Sequence, residues 1–456
     1  MSSATLSRDF THGNIPRQLI RFTLPFMASN AMQVLYSAID MMIVGNCVGK
    51  EGLAAVSQSS QILNFVTMLC LGFSNAGQVL ISQAIGAGKK KELSRIIGTL
   101  FLLILLLGLV MTVFILALCQ PIIRIMQIHD DAATMAMSYL IICGAGLVFT
   151  AGYNMVSAVL RGMGDSKRPY LFIAIASVIN LVLDILFTGI LGWGVAGAAA
   201  ATIIGQAASF LFSLLYLYCH RQELGFEMAK EHFRIEGRYA KLIGSLGTPM
   251  AVQAGFINLS LLFVNALVNK VGVIASATFG VGMRIDDLCN KVSQGLQFAA
   301  SPMIGQNIAA GQKERAKKVV WYTWMYSFAF TALFLILYLF CREPLFSLFT
   351  DDTKVMELSK TFVAAIVWMF PAFAIMRGTG GFITGIGNAK LGMVLALLDG
   401  VVLRIGLSWL FGIVLNWGFF GFVLGYGLAP YGCAIPGMIY FLSGKWEKRK
   451  ALAEEL

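Results

Sequence analysis

Asp40 and Asp184 each stand alone inside a long apolar stretch, in a chain whose other acids fall mainly in polar connections. A carboxylate inside a membrane-spanning helix costs about 2.5–3.5 kcal/mol on insertion scales, so such acids characteristically line an ion, proton or substrate path. With a helical rise of about 1.5 Å per residue, Asp40 lies roughly four residues from the outer end of its stretch, Asp184 about seven and Thr202 about eight, all about 6–12 Å below the outer surface. Asn180 is one turn from Asp184 on the same face, and Gln33, Tyr36 and Asp40 follow i, i+3, i+7 spacing along another helix. Two carboxylates with amide and hydroxyl oxygens nearby suit either of two cations: they can share a proton or hold Na⁺ with hard oxygen donors. The plainer alternative is that each aspartate is only an interhelical hydrogen-bond partner. Pro25 interrupts the first stretch ahead of Asp40 and permits a bend there, or a static kink.

The elements that must position these residues follow from composition. Of 456 residues, 58% are hydrophobic and 12% charged, and mean hydropathy is +0.77. Apolar runs such as 99–119 and 169–191 are continuous and long enough to cross as helices, unlike the short alternating strands of a membrane barrel. The expected fold is all-α and polytopic, with twelve spans near 15–44, 51–82, 93–118, 131–159, 168–191, 194–220, 239–269, 273–308, 314–340, 354–385, 390–414 and 418–443. Lys89–Lys91, Arg161 with Lys167 and Arg168, the Arg221–Lys241 connection, Lys313–Lys318, Lys390 and the Lys445–Lys450 tail fall on one face, which the positive-inside rule makes cytoplasmic along with both termini. The net charge of +11 is therefore a topology signal and not a nucleic-acid surface. Eight cysteines show no Cys-x-x-Cys spacing and four histidines no metal-ligand spacing, so neither a disulfide framework nor a structural metal is expected.

The chain repeats itself. At a shift of 223 residues Gly49 meets Gly272, Gln83 meets Gln306, Gly88 meets Gly311, Gly164 meets Gly387 and Lys167 meets Lys390; at 224, Trp193 and Gly197 meet Trp417 and Gly421. Residues 1–220 and 239–456 are read as two six-helix lobes joined by a cytoplasmic linker, 221–238. An even number of spans gives both lobes one orientation, as in parallel-repeat transporters, with a central cleft suited to alternating access. The repeated segments from Arg161 and from Thr384 lack the Gly-Lys-Ser/Thr order of a phosphate loop and read as tight turns. In the C-terminal lobe one span carries Arg284, Asp286, Asp287 and Lys291, of which Arg284 with Asp287 and Asp287 with Lys291 have the spacing to neutralise one another in a mainly structural role; Arg377, Asp399 and Arg404 also fall within spans. No local partner is apparent for Arg404, which is left to face the cleft or to pair across helices with Asp399.

The segment Ala31–Gly45, AMQVLYSAIDMMIVG, together with the length and the duplicated halves, resembles the multidrug and toxic compound extrusion (MATE) family, and within it the prokaryotic DinF-like branch. The resemblance implies two lobes in a V and a cation- or proton-binding cluster in the first lobe, matching Asp40, Asn180, Asp184 and Thr202. It assigns Gln33, Tyr36, Tyr139 and Asn154 to the surrounding substrate cavity. It further implies that protonation bends the first span at Pro25 and displaces the drug. The branch using a C-lobe sodium site carries acids on spans 7 and 10, where this chain reads Pro249–Asn258 and Phe370–Met376 without one. Coupling through the first lobe is favoured.

The expected function is secondary active efflux of amphipathic cationic drugs or toxins in exchange for H⁺ or Na⁺, by a monomer in the inner membrane among lipids, with no cofactor and no enzymatic constellation such as His-Glu-x-x-His. The rival is a flippase for lipid-linked saccharides or other anionic lipids, which needs a strongly cationic cleft.

Overall fold

A computed structural model describes residues 9–125, 130–227 and 229–456, and helix is the only regular structure among them. In the first half, α1 (Ile15–Cys47), α2 (Lys50–Gly86) and α3 (Lys90–Ile125) are followed by α4 (Asp130–Ala145), α5 (Leu147–Gly162), α6 (Lys167–Asp184) and α7 (Gly194–Cys219). The second half holds α8 (Gly237–Asn269), α9 (Val273–Ala309), α10 (Lys313–Phe340), α11 (Arg342–Ser347), α12 (Thr353–Ile366), α13 (Met369–Gly385), α14 (Ala389–Leu397), α15 (Gly406–Trp409), α16 (Gly418–Leu428) and α17 (Tyr431–Leu442). Helices satisfy their own backbone groups, which an apolar solvent demands.

Among the described residues eight helical stretches are long and apolar enough to cross a membrane, ten if α4 with α5 and α12 with α13, bent by 46° and 48°, each count as one span. The remaining expected spans, the first and the eighth, are the 33-residue α1 and the 37-residue α9, long enough but more polar. The stretches expected from sequence near 131–159 and 354–385 are thus broken helices, one of them at Gly146.

The chain forms two compact units. Unit 1 comprises residues up to Asp9, Ala28–Ala251 and Leu456; unit 2 comprises Phe10–Met27 and Val252–Glu455. The changes of unit fall inside α1 and α8, two residues after Pro25 and Pro249. Within unit 1, α2 packs on α3, α4 and α5, and α7 on α4, α5 and α6, around a core that includes Val44, Val56, Leu140 and Ala198. The connection after α7 lies on α3: Thr99 Oγ1 donates to the Arg234 carbonyl (3.1 Å), the Glu227 amide donates to Ser94 Oγ (2.9 Å), and Phe233 meets Phe101 edge-on. Within unit 2, α9 packs on α10, α12 and α13, and α13 also on α17.

The duplication is legible in bonds as well as letters. Phe187 stacks on Trp193, and Phe411 on Trp417, with the tryptophan amide bonding the phenylalanine carbonyl at 2.9 and 3.0 Å. Gly197 and Gly421 press against the backbone carbonyls of those phenylalanines, leaving no room for a side chain. The segments expected as tight turns are so: Gly164 and Gly387, at φ 86° and 71°, donate to the carbonyls of Arg161 and Thr384.

Candidate functional site

The first-half site lies within unit 1, built from α1, α4, α6 and α7. Asp184 ends α6 and opens a π-helical turn, Ile185–Ile190, the wider i→i+5 winding that recurs at functional positions. It is 1% exposed, with Asn180 one turn earlier at 5%. Gly205 of α7 makes this depth possible. A Cβ there would lie 3.1 Å from the Asn180 Cβ and 3.2 Å from the Ala176 carbonyl, so α6 and α7 approach as close as backbones allow.

Across from α6, α1 presents Asp40, close enough to Asp184 for the two carboxyls to interact directly. Neither oxygen of Asp184 nor Oδ1 of Asp40 finds a hydrogen-bond donor, and Asn180 Nδ2 lies beside Asp184 without a bonded acceptor. Among the described residues no basic side chain pairs with either acid within 4 Å. Two carboxylates are both acceptors, so their contact becomes a hydrogen bond only when a proton lies between them. Buried charge without a partner is costly.

Tyr36, one turn before Asp40, lies among Asp40, Asp184 and Tyr153. Tyr139 on α4 is 4% exposed; Ser60 of α2 donates to its phenol at 3.5 Å and Thr202 of α7 stands beside it, within electrostatic reach of Asp40. The structure therefore brings together Asp40, Asp184, Asn180, Tyr36, Tyr139 and Thr202. Gln33 is exposed on α1, and Asn154 is half-buried on α5, neither hydrogen-bonded to the acids. Helix α1 runs unbroken through Pro25. Ser60 and Tyr153 escaped the sequence reading; a hydroxyl one helix away from a buried phenol has no signature in spacing.

The second-half charges need correction. Arg284 and Asp287 are exposed, and only Asp287 is paired, with Lys291 at 2.9 Å. Asp286 is the buried acid of the group, at 3%. The 100° turn per residue sends positions 284, 287 and 291 to one face and 286 to the opposite one. Arg404 does have a local partner: its Nη2 lies 2.9 Å from Asp399 Oδ1, both buried. Five residues apart, they would face away from each other on an α-helix, but Leu398–Ile405 is π-helical and stacks i on i+5. The Arg404 guanidinium also covers the Tyr426 ring at 4.9 Å.

The MatE family model matches this chain twice, over residues 25–186 and 249–410. The chain belongs to the MATE family. The two matches are offset by 224 residues, within one residue of the shift of the internal repeat. Among curated relatives, Probable multidrug resistance protein YpnP of Bacillus subtilis is 29% identical over 98% of this MATE chain and 99% of its own length. Probable multidrug resistance protein NorM of Thermotoga maritima is 26% identical over 97% of this chain and 95% of its own. A solved structure described as the outward-facing conformation of a multidrug resistance MATE family transporter superposes with a TM-score of 0.91 at 22% identity, over 98% of this chain and all of that one. The MATE fold is thereby established: an all-helical, multi-pass membrane protein of two repeated bundles.

Proposed function

We propose that this protein exports amphipathic cationic compounds in exchange for an inorganic cation, H⁺ or Na⁺, with the site around Asp40 and Asp184 as the point of coupling. The observation that carries the reading is the meeting in unit 1 of the buried Asp184 carboxyl with the half-buried Asp40 carboxyl, with no basic side chain paired to either among the described residues. The relatives named as multidrug resistance proteins support efflux of drugs. The residues around the pair fit either ion: one proton bridges the acids, while Na⁺ takes oxygens from Asp40, Asp184, Asn180 and Thr202.

In the cycle, the outward-open protein loads the cation on the pair, which reshapes the cavity and weakens drug binding. The inward-open protein releases the cation to the cytoplasm and takes up drug. Ion and drug thus exclude each other through one coupling free energy, and the order of steps follows from which gradient is downhill. Residence in the inner membrane with both termini cytoplasmic is part of this reading, resting on the Lys/Arg bias of the connections. The flippase reading loses support because both buried second-half arginines are engaged internally, Arg404 by Asp399 and Arg377 by Asn290, Ser293 and Gln297.

The test is uptake of a cationic dye by proteoliposomes under proton and sodium gradients imposed one at a time. One gradient is expected to drive wild-type transport, and Asp40→Asn and Asp184→Asn are expected to lose that drive at least tenfold. Undiminished gradient-driven uptake by both variants would remove the pair from the mechanism.

A further inference from the structure

A second proton balance is visible within unit 2. Asp286 on α9 is 3% exposed, and Oδ2 has no hydrogen-bond partner. Its other oxygen, Oδ1, lies 2.8 Å from the phenol of Tyr338 on α10, itself fully buried. That phenol also lies 3.3 Å from the carbonyl oxygen of Gly282. A phenol has one proton to give. With Asp286 ionised, one hydroxyl proton faces two acceptors and one carboxylate oxygen is left bare. With Asp286 protonated, the acid donates to the phenol oxygen, the phenol donates to Gly282, and each proton has an acceptor.

The charged groups around Asp286 do not supply an alternative. On its own helix, Asp287 is exposed and paired with Lys291, Arg284 is exposed, and Cys289 carries no charge. On α10 the facing group is Tyr338, and on α11 Arg342 is bound to Glu343 at 2.7 Å. On α12, Lys354, Glu357 and Lys360 are all exposed. On α13, Arg377 is held by Asn290, Ser293 and Gln297. On α16, Tyr426 senses Asp286 but lies under Arg404, which is committed to Asp399. Unit 2 therefore buries two acids and two arginines, one arginine serving an acid and the other serving neutral oxygens. A buried carboxylate left in that position is strongly disfavoured, and binding a proton removes the penalty.

We propose that Asp286, with Tyr338 as its hydroxyl relay, is a second proton-binding site in the C-terminal half, chemically independent of Asp40 and Asp184, and that its proton is exchanged during transport. The exchange rests on the antiport reading above; the occupancy of Asp286 by a proton does not. Infrared spectra of the reconstituted full chain read occupancy directly through the carbonyl stretch of a protonated carboxyl. One such band is expected to disappear in Asp286→Asn, to shift in Tyr338→Phe, which removes the acceptor of the acid proton, and to persist in both Asp287→Asn and the double variant Asp40→Asn/Asp184→Asn. If Asp286→Asn fails to fold, Tyr338→Phe decides: an unshifted band overturns the site, as does a full-strength band in folded Asp286→Asn. The second readout is the reversal potential of proton-driven dye uptake, which is expected to show one proton fewer per dye in Asp286→Asn. An unchanged proton count overturns the exchange. Failure of proton-driven uptake in the wild type, with the band present and lost on substitution, sinks the antiport reading and leaves the site standing.

Discussion

The contact between Asp40 and Asp184 makes a stability statement that needs no transport assay. Two unit charges about 4 Å apart repel by about 1 kcal/mol in a water-like dielectric and by about 4 kcal/mol at an effective dielectric near 20. Asp184 is buried at 1% exposure while Asp40 is half-buried, so the pair falls between those limits. Asp184→Asn keeps the shape and removes one charge. In sodium-free alkaline buffer, where both wild-type carboxyls are ionised, the variant is expected to be more stable by about 1–4 kcal/mol. In acidic buffer the wild-type pair already holds a proton, so the advantage shrinks toward zero. Wild-type stability therefore falls as pH rises through the range in which the pair gives up its proton, and the variant curve is flatter.

Thermal unfolding of the detergent-solubilised protein across pH measures the difference. Adding sodium then separates the two ions, because a ligand at a hundred times its Kd stabilises the native state by about 2.7 kcal/mol. If Na⁺ is the coupling ion, sodium stabilises the wild type and not Asp184→Asn; if H⁺ is, sodium stabilises neither. A variant that is less stable than wild type in alkaline buffer would refute the reasoning, since it would mean that the carboxylate already has a cationic partner. A gain of equal size at every pH would refute it too, since repulsion would then not be its source.

Other outcomes follow from single contacts. Replacing Gly205 with leucine is expected to force α6 from α7 at Asn180, costing about 1–3 kcal/mol by overpacking and uncoupling dye uptake from the driving gradient, as thermal unfolding and the vesicle assay would show. Removing either partner of the buried pair alone, Asp399→Asn or Arg404→Met, is expected to destabilise by about 3–5 kcal/mol, and the double variant to recover most of that loss in a mutant cycle. Gly164→Val is expected to cost more than Gly237→Val in unfolding measurements, because only the former position is held at positive φ, 86°.

The parts of the fold legible in the sequence were those with a length signature: runs of apolar residues gave the helices, because a bilayer fixes how long a spanning helix must be. Asp40, Asn180 and Asp184 were legible as polar residues isolated in apolar surroundings. Gln33 shares the helical phase of Tyr36 and Asp40 but stands seven residues, about 10 Å, along α1 from Asp40 and is exposed. Asp286 and Asp287 are adjacent acids in similar surroundings, and only the rotational setting of α9 against α10 and α13 decides which one is buried. The Asp399–Arg404 pair was invisible for another reason: spacing rules assume 3.6 residues per turn, and that segment does not wind so.

That irregular winding also accounts for a change of register late in the repeat and, through it, for different chemistry in the two halves. The shift is 223 at Lys167 and Lys390 but 224 at Trp193 and Trp417, so the second half gained one residue between Lys390 and Trp417. A π turn holds one residue more than an α turn, and Leu398–Ile405 lies in that interval. Beyond the extra residue, Asn180 corresponds to Arg404, Asp184 to Ser408, and Thr202 to Tyr426. Ser408 is fully buried and donates to the Phe422 carbonyl, while Arg404 closes on Asp399 and Tyr426. The backbone therefore offers the same niche twice. In the first half this position is Asn180, beside two acids with no basic partner among the described residues; in the second it is Arg404, which fills the niche with a fixed charge paired to Asp399. The two repeats thus differ at this position by one added residue and one substituted side chain, which is enough to replace an unneutralised acid with a closed ion pair.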